Sequence, residues 1–268
     1  IRVMNGQMPH RARKRFGQNF LHDKTVIEQI VQTFDPDPSL AIVEIGPGTG
    51  ALTFPLLQMS ENLNVIEIDT DLAQILSTKC KDLGNLKIHI DDALRFDFST
   101  IKPAPLQIIG NLPYNISTPL LFHLLKGMSI TKVMVLMLQK EVADRICAEH
   151  NQRIYGRLTV MIQSRCKVEK LFDVAPSAFK PAPKVTSSVL RLLPDSERAS
   201  SILNFDLFEK IVKQAFSQRR KTLRKVLKDL VNEKCLESAS IEPTSRAENV
   251  SVADYIRLAN NLYQPQNQ

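Results

Sequence analysis

The chain lacks the segments that would place it in or across a membrane. No uninterrupted apolar run approaches the roughly 20 residues that a membrane-spanning helix needs. The basic amino terminus has no apolar segment of the kind that directs secretion. We therefore expect a soluble, cytoplasmic protein that is not exported and does not bind a membrane. With 268 residues, 43% of them hydrophobic, the chain is long enough for one large domain and a small appendage.

Cysteine and histidine are few and scattered. The four cysteines and the five histidines form no pair at the spacing of metal ligands. We therefore expect reduced, mostly buried thiols and no metal site, and we favour none of the histidines as a catalytic residue. No pattern indicates an obligate oligomer, so a monomer is expected.

Apolar runs of strand length alternate with helical patterns through the first 193 residues. This alternation predicts an α/β fold built on a mostly parallel, doubly wound sheet. The predicted strands are residues 40–45, 63–68, 86–90, 106–109, 131–138, 168–174 and 185–193.

A polar segment that contains a proline, residues 194–204, marks the predicted boundary between domains 1–193 and 194–268. The second domain is predicted to be small and all-helical. From residue 207 to residue 230 its apolar residues fall on one side of a helix and its basic residues on the other. This separation of apolar and basic residues onto two sides requires that the helix continues through Ser217 and Gln218.

Positive charge is concentrated in two segments of a chain whose net charge is +7. Residues 1–20 carry five bases and no acid, and residues 204–231 carry eight bases against three acids. Clustered cations favour phosphate binding, so we predict that segments 11–15 and 210–228 contact a nucleic acid backbone. The alternative for the second segment is an ordinary solvated helix face.

A glycine-rich turn, Gly46-Pro47-Gly48-Thr49-Gly50, follows the first predicted strand. Such a turn lets the backbone approach a ligand closely and directs helix amides at it. Glu67 follows Gly46 by 21 residues, at the position from which an acid binds both hydroxyls of a ribose. Together they predict a nucleoside-bearing cofactor, without choosing between a nicotinamide dinucleotide and S-adenosylmethionine. The alternative is that the glycines serve only helix–strand packing.

Asp92 comes just after the third predicted strand. An acid there can accept a hydrogen bond from an adenine amine of the cofactor. It can equally well cap a helix. The pattern leaves both readings open.

The loop Asn111-Leu112-Pro113-Tyr114 follows a buried strand that ends at the sheet's carboxyl edge. The Asn111 side-chain carbonyl and an outward-turned Leu112 carbonyl can together accept the hydrogens of an amino group. Tyr114 offers a flat face for a planar heterocycle. The combination suits the exocyclic amine of a nucleobase. An ordinary turn, with Asn111 bonded to backbone and Ser117 or Thr118 capping the next helix, is an equal alternative.

Two prolines stiffen the segment from Phe179 to Val185. A rigid loop can present Phe179 opposite Tyr114, so that the two rings sandwich a flipped base. The pattern is equally compatible with a Phe179 side chain that fills the core.

In this order, the motifs resemble the family of ribosomal RNA adenine dimethyltransferases in its bacterial small-subunit form. The resemblance covers nearly the whole chain. It rests on Gln18–Leu21, Glu44–Gly50, Glu67, Asp91–Ala93, Asn111–Tyr114 and Phe179–Val185.

The resemblance implies a Rossmann-like methyltransferase sheet with S-adenosylmethionine as methyl donor. It implies a substrate of two adjacent adenosines, each dimethylated at N6, in a hairpin near the 3′ end of small-subunit (16S) rRNA within a partly assembled 30S particle. At matching positions it implies a target-adenine site of Asn111, Leu112, Pro113, Tyr114 and Phe179. The implied cofactor pocket consists of Asn19, Leu21, Gly46, Gly48, Glu67, Asp92 and Asn111.

Two alternatives stay open. A sibling enzyme that dimethylates a large-subunit rRNA adenine and confers macrolide resistance shares the glycine turn and a related Asn-x-Pro-Tyr loop. The proline-rich Phe179 loop and the long basic carboxyl-terminal region favour the small-subunit member. The chain can also act mainly as an RNA-binding assembly factor, although the intact motif set favours catalysis.

Overall fold

The structure, a computed structural model, describes residues 19–263, so the basic segment 11–15 lies outside the described residues. Its strands are β1 Phe20–Leu21, β2 Ala41–Ile45, β3 Asn62–Glu67, β4 Asn85–Ile90, β5 Leu106–Asn111, β6 Thr131–Gln139, β7 Cys166–Val174, β8 Phe179–Lys180 and β9 Ser187–Pro194. Its α-helices are α1 Lys24–Phe34, α2 Thr53–Ser60, α3 Thr70–Lys79, α4 Ser117–Lys126, α5 Lys140–Ile146, α6 Arg157–Gln163, α7 Ser196–Ser200, α8 Phe205–Ala215, α9 Leu223–Val226, α10 Glu233–Ser238 and α11 Val252–Leu262.

The seven long strands form one sheet in the order β4-β3-β2-β5-β6-β9-β7. Strands β2 to β6 are parallel, and β9 runs antiparallel to both β6 and β7. The chain builds outward from β2 to β4 and then returns to add β5 beside β2. The sheet therefore has a switch point between β2 and β5, as the predicted doubly wound fold requires.

Apolar residues of the central strands alternate between two clusters, one for each face of the sheet. In β2, Val43 and Ile45 belong to one cluster and Ile42 to the other. In β5, Ile108 and Ile109 divide in the same way. This explains why apolar residues dominate both strands, because both faces of the sheet are covered.

Pro194 ends the last strand, and all later elements of the described range are helical. The apolar cluster that contains Val43 extends into these helices through Phe208 and Tyr255. The helical region therefore shares its core with the sheet. Its standing as a separate domain stays a prediction.

The condition set for the helical pattern from residue 207 to residue 230, that the helix continues through Ser217 and Gln218, is not met. Helix α8 ends at Ala215, a 3-10 turn follows at Phe216–Gln218, and α9 begins at Leu223. The apolar and basic sides of the segment are nevertheless as predicted. Ile211, Leu223 and Leu227 are buried, and the basic residues are exposed. The exposed bases are Lys210, Lys213, Arg219, Arg220, Lys221, Arg224, Lys225 and Lys228.

None of the helices in residues 19–263 combines the length and the apolar character needed to cross a membrane.

Candidate active site

A cavity of about 270 Å³ lies at the carboxyl edge of the sheet, around the switch point. The loops after β2, β3, β4 and β5 all contribute to its lining, as does the segment that contains β1. Within residues 19–263, no group of three or more His, Cys, Asp and Glu side chains could hold a metal ion. The predicted site residues that line the cavity are Asn19, Leu21, Gly46, Gly48, Glu67, Asp92, Asn111, Leu112, Pro113 and Tyr114.

The glycine-rich turn after β2 requires glycine for two different reasons. Gly46 and Gly48 have φ angles of +66° and +57°, which residues with a Cβ rarely adopt. A Cβ on Gly48 would also lie 3.1 Å from the Phe20 ring. Gly50 serves helix packing, because a Cβ there would come within 2.8 Å of the Phe54 side chain in α2. Backbone conformation therefore requires glycine at Gly46 and Gly48, and close packing against α2 requires it at Gly50, while ligand approach to the turn stays a prediction.

Glu67, at the end of β3, holds the turn in place. Its Oε2 accepts the Gly48 N–H at 3.2 Å and its Oε1 accepts the Asp69 N–H at 2.9 Å. Burial raises the pKa of the Glu67 carboxyl, and the backbone donors oppose that shift. A carboxylate has about four acceptor positions, so Glu67 can still accept hydrogen bonds from ribose hydroxyls in the cavity.

Glu44, in β2, is a second buried acid of the cavity that the sequence-based assignment missed. Its carboxylate accepts the Thr53 hydroxyl at 2.6 Å. Burial raises the pKa of Glu44 to about 8, with the Thr53 bond lowering it and the Glu67 charge adding to the rise. The available signal was a charged residue inside an apolar strand, two residues before Gly46.

Asp92 stabilises the turn after β4. Its Oδ1 accepts the Leu94 N–H at 3.0 Å, and the neighbouring Asp91 carboxylate accepts the Asp92 N–H at 2.7 Å. No helix begins directly after Asp92, so the helix-cap alternative is wrong, and one of its oxygens stabilises a turn instead. Because Asp92 also lines the cavity, its contact with a cofactor adenine stays a prediction.

The position of Asn111 depends on the preceding residue, Gly110, which no larger residue can replace unless the strands move apart. A Cβ on Gly110 would lie 2.8 Å from the Ile45 carbonyl oxygen, so only glycine lets β5 end this close to β2. The Asn111 Nδ2 donates to the Asn19 carbonyl at 3.2 Å. This bond fixes the orientation of the amide, and it leaves Oδ1 as the acceptor for a ligand.

The backbone after Asn111 forms a fixed turn. The Leu112 N–H donates to the Met137 carbonyl at 3.1 Å, and the Ile116 N–H donates to the Pro113 carbonyl at 3.1 Å. The Pro113 carbonyl therefore already has one partner, and a ligand amine would use its second lone pair. Neither Ser117 nor Thr118 caps α4, whose N-cap, Ile116, makes no side-chain bond. That part of the ordinary-turn reading is wrong.

Tyr114 is partly buried at the edge of the cavity. Its hydroxyl shares a hydrogen bond of 2.7 Å with the Ser187 hydroxyl. Burial raises the pKa of the Tyr114 phenol, so the ring is neutral at physiological pH. The ring is thus an uncharged flat surface beside Asn111.

Phe179 does not present an exposed face to the cavity, which corrects the expectation of a ring opposite Tyr114. Its side chain is only 3% exposed and belongs to the apolar cluster that contains Leu21. Its backbone pairs with Leu21 in the two-stranded sheet formed by β1 and β8. Aromatic burial against a neighbouring strand explains this placement. Phe179 supports the β1 wall of the cavity from behind.

The cavity has the features that a nucleoside cofactor needs. It offers the Glu67 carboxylate for a ribose and the Asp92 carboxylate for an adenine amine. The aliphatic side chains of Ile68 and Leu94 also line the cavity and provide surface for a planar heterocycle. The residues present therefore fit S-adenosylmethionine.

A doubly wound sheet with a glycine turn, a buried acid at the end of β3 and an Asn-Leu-Pro-Tyr loop at its switch point defines a Rossmann-like, S-adenosylmethionine-dependent methyltransferase. The chain belongs to the family described as Ribosomal RNA adenine dimethylase, whose family model matches residues 9–264. It is 48% identical to Ribosomal RNA small subunit methyltransferase A of Marinobacter nauticus over 260 residues. That alignment covers 97% of this chain and 94% of the relative.

Two solved structures are similar over most of their length. A dimethyladenosine transferase from Plasmodium falciparum has a TM-score of 0.78 at 29% identity, covering 89% of this chain and 95% of that one. The 23S rRNA methyltransferase ErmE has a TM-score of 0.71 at 26% identity, covering 92% and 100%. The resemblance found in the sequence is confirmed. The chain is an enzyme that uses S-adenosylmethionine to dimethylate adenine in ribosomal RNA.

Proposed function

We propose that this enzyme dimethylates N6 of two adjacent adenosines in a hairpin near the 3′ end of small-subunit (16S) rRNA. We further propose that it works as a cytoplasmic monomer on a partly assembled 30S particle during ribosome biogenesis. The proposal rests on one observation: the loop from Asn111 to Tyr114 lines the same cavity as the acids Glu67 and Asp92. The small-subunit target is supported by the name of the relative that is 48% identical.

In the proposed mechanism, the loop that begins at Asn111 orients the target adenine amine, which by itself is a poor nucleophile. The lone pair of an adenine amine is delocalised into the ring, so a site must orient it for in-line attack. In the proposal the Asn111 Oδ1 and the backbone carbonyls after it accept the amine hydrogens. Acceptors placed there favour a geometry in which the lone pair is free, and they stabilise the positive charge that develops on nitrogen.

Tyr114 has two roles in the proposal. Its ring stacks against the extruded adenine. Its π face also attracts positive charge near the transferred methyl group. Both roles use a neutral ring in a fixed position, which agrees with the raised pKa and the Ser187 hydrogen bond.

The cofactor-binding half of the cavity has a separate set of residues. Glu67 would bind the ribose hydroxyls, Asp92 the adenine amine, and the glycine turn would approach the cofactor through its backbone. When bound, S-adenosylmethionine supplies a methyl group activated by its sulfonium. Asn19 and Leu21 would close the cavity beside Asn111.

The basic segment 210–228 is proposed to bind RNA phosphates. Seven of its eight bases form no ion pair with a described residue, and Arg219 pairs with Glu248 at 2.8 Å. Replacing Arg220, Lys221 and Arg224 by alanine should weaken RNA binding. It should also reduce the slope of log K against log salt by about 0.9 for each phosphate that the protein no longer neutralises. Binding titrations at several salt concentrations measure both effects.

The control for that triple variant removes three exposed lysines remote from the segment, Lys79, Lys81 and Lys87. It changes the net charge by the same amount. An equal loss of affinity and slope in both variants would show that only the global charge matters, and it would overturn the assignment of the segment.

Phe179→Ala should lower cofactor affinity together with stability. Deleting a buried phenylalanine ring typically costs about 3–5 kcal/mol of the free energy of unfolding, and here it also loosens β1, which contributes Leu21 to the cavity. Denaturant unfolding and calorimetric titration with S-adenosylmethionine measure the two quantities.

The matched control is Phe34→Ala in α1, since Phe34 is also 3% exposed in the same cluster. It should lose stability and keep its affinity. Normal affinity in folded Phe179→Ala would contradict the supporting role.

The proposed function is tested by methyl transfer from labelled S-adenosylmethionine to ribosomal particles from cells that lack this enzyme. Small and large particles are assayed separately, and the RNA is digested to nucleosides. Dimethyladenosine in small-subunit RNA is the expected result. Label only in large-subunit RNA would select the sibling activity. Particle binding without label would select an assembly factor.

A further inference from the structure

The hydroxyl of Ser187 is the structural partner of the Tyr114 ring. The two oxygens lie 2.7 Å apart, the usual distance for an O–H···O hydrogen bond. The residues are 73 positions apart in the chain. No sequence motif links them, and the contact exists only because the sheet brings the ends of their elements together.

Ser187 sits on a rigid support. It is 0% exposed and begins β9, the strand between β6 and β7. Its backbone is in register with Gln139 on one side and Val174 on the other. A residue paired on both sides in the interior of a sheet has little freedom to move, so its hydroxyl is a fixed point.

Tyr114 lies on a less constrained element. It belongs to the loop after β5, and β6 separates that strand from β9. Neighbouring strands lie about 4.8 Å apart, so the side chain crosses the carboxyl end of β6 to reach Ser187. A hydrogen bond at the far end of the ring fixes the axis from Cβ to the phenol oxygen. Without it, the side chain can move to other rotamers away from the Asn111 amide.

We propose that Ser187 is a positioning residue for methyl transfer, which holds the Tyr114 ring against the target adenine through the hydrogen bond between the two hydroxyls. This inference rests on the proposed function, because it needs a base stacked on Tyr114. Ser187 itself touches neither the base nor the cofactor. It makes the stacking surface available before the RNA arrives.

The adjacent residue provides a matched control. Ser188 is also 0% exposed, but its hydroxyl donates to the Asp173 carboxylate at 2.6 Å. Successive residues of a strand point to opposite faces of a sheet, which explains why the two hydroxyls have different partners. Ser188→Ala therefore removes a buried hydroxyl from the same strand without altering the Tyr114 contact.

The test is a double-mutant cycle on Ser187→Ala and Tyr114→Phe, with methyl transfer to small-subunit particles as the assay. Each single change removes the same hydrogen bond. Such a bond typically shifts the equilibrium between the bonded and unbonded arrangements by about fivefold. Each variant should lose about fivefold in kcat/KM for RNA, with unchanged affinity for S-adenosylmethionine. The double variant should also lose about fivefold, because the second change has no bond left to remove.

Several outcomes would overturn the inference. Losses that multiply to about 25-fold in the double variant would show that the two residues act independently. Wild-type activity in Tyr114→Phe or Ser187→Ala, or an equal loss in Ser188→Ala, would show that the bond does not matter. Tyr114→Phe keeps Ser187 and the strand intact, so it tests the bond even if Ser187→Ala does not fold. If the wild-type enzyme leaves small-subunit RNA unmethylated, the proposed function fails instead.

Discussion

Asn111→Ala should reduce turnover by about 10²–10³-fold, the usual effect of removing one group that stabilises developing charge in a transition state. The Asn111 Oδ1 is the side-chain acceptor that remains after Nδ2 has bonded to Asn19. Affinity for S-adenosylmethionine should fall only a few-fold, because Glu67, Asp92 and the glycine turn are retained. Single-turnover methyl transfer and calorimetric titration measure the two effects separately.

Asn115→Ala is the matched control for this prediction. Asn115 lines the same cavity from the same loop but is exposed, and it lies within the turn instead of ending the strand. Its replacement should leave turnover within a few-fold of the wild type. Equal losses of turnover and cofactor affinity in Asn111→Ala would refute the division of roles between Asn111 and the cofactor-binding residues.

Glu44→Gln should remove a large part of the pH dependence of stability near neutrality. The carboxyl has a pKa of about 8 in the folded protein, against an ordinary value of 4.5, so the folded state binds the proton more tightly than the unfolded chain. The free energy of unfolding of the wild type therefore falls as pH rises from about 4.5 to about 8. The total loss is on the order of 5 kcal/mol. Above about pH 8 it should level off.

The Glu44→Gln variant cannot ionise at this position, and its side-chain carbonyl can still accept the Thr53 hydroxyl. Its free energy of unfolding, measured in denaturant without cofactor between pH 5 and pH 9, should vary much less with pH. Glu28→Gln is the control, since Glu28 is an exposed acid in α1, and it should retain the wild-type slope. A Glu44→Gln curve parallel to that of the wild type would show that Glu44 ionises normally.

Most of the sheet could be predicted because its signals are local. Strands β2 and β5 are mostly apolar runs followed by a glycine turn and by the Asn111 loop. Strand β2 ends at Ile45 as predicted, whereas β5 continues two residues past its predicted end, to Asn111. The mostly parallel, doubly wound arrangement followed from the rules of parallel sheets, which put successive strand ends at one edge. For that reason the Gly46 turn, Glu67, Asp92 and Asn111 could be expected to meet.

The features that the sequence did not reveal all depend on packing between residues that are far apart in the chain. The helix from residue 207 to residue 230 has a correct apolar stripe, but periodicity does not reveal a break when the residues at the break are compatible with a helix. Phe179 was equally suited to a surface and to a core, and its burial depends on Leu21, which the chain brings in from its other end. The pKa of Glu44 depends on how completely the cavity walls exclude water, which no motif records.

By itself, the sequence determined the α/β class, the switch-point site and the family, because alternation of apolar residues and short motifs depend on neighbours in the chain. The tertiary structure alone decided which atoms of the site touch. The bonds from Asn111 to Asn19 and from Tyr114 to Ser187 join residues 92 and 73 positions apart. Hydrogen bonds require donor and acceptor within about 3 Å, and that proximity arises only when the sheet and its edge loops have packed.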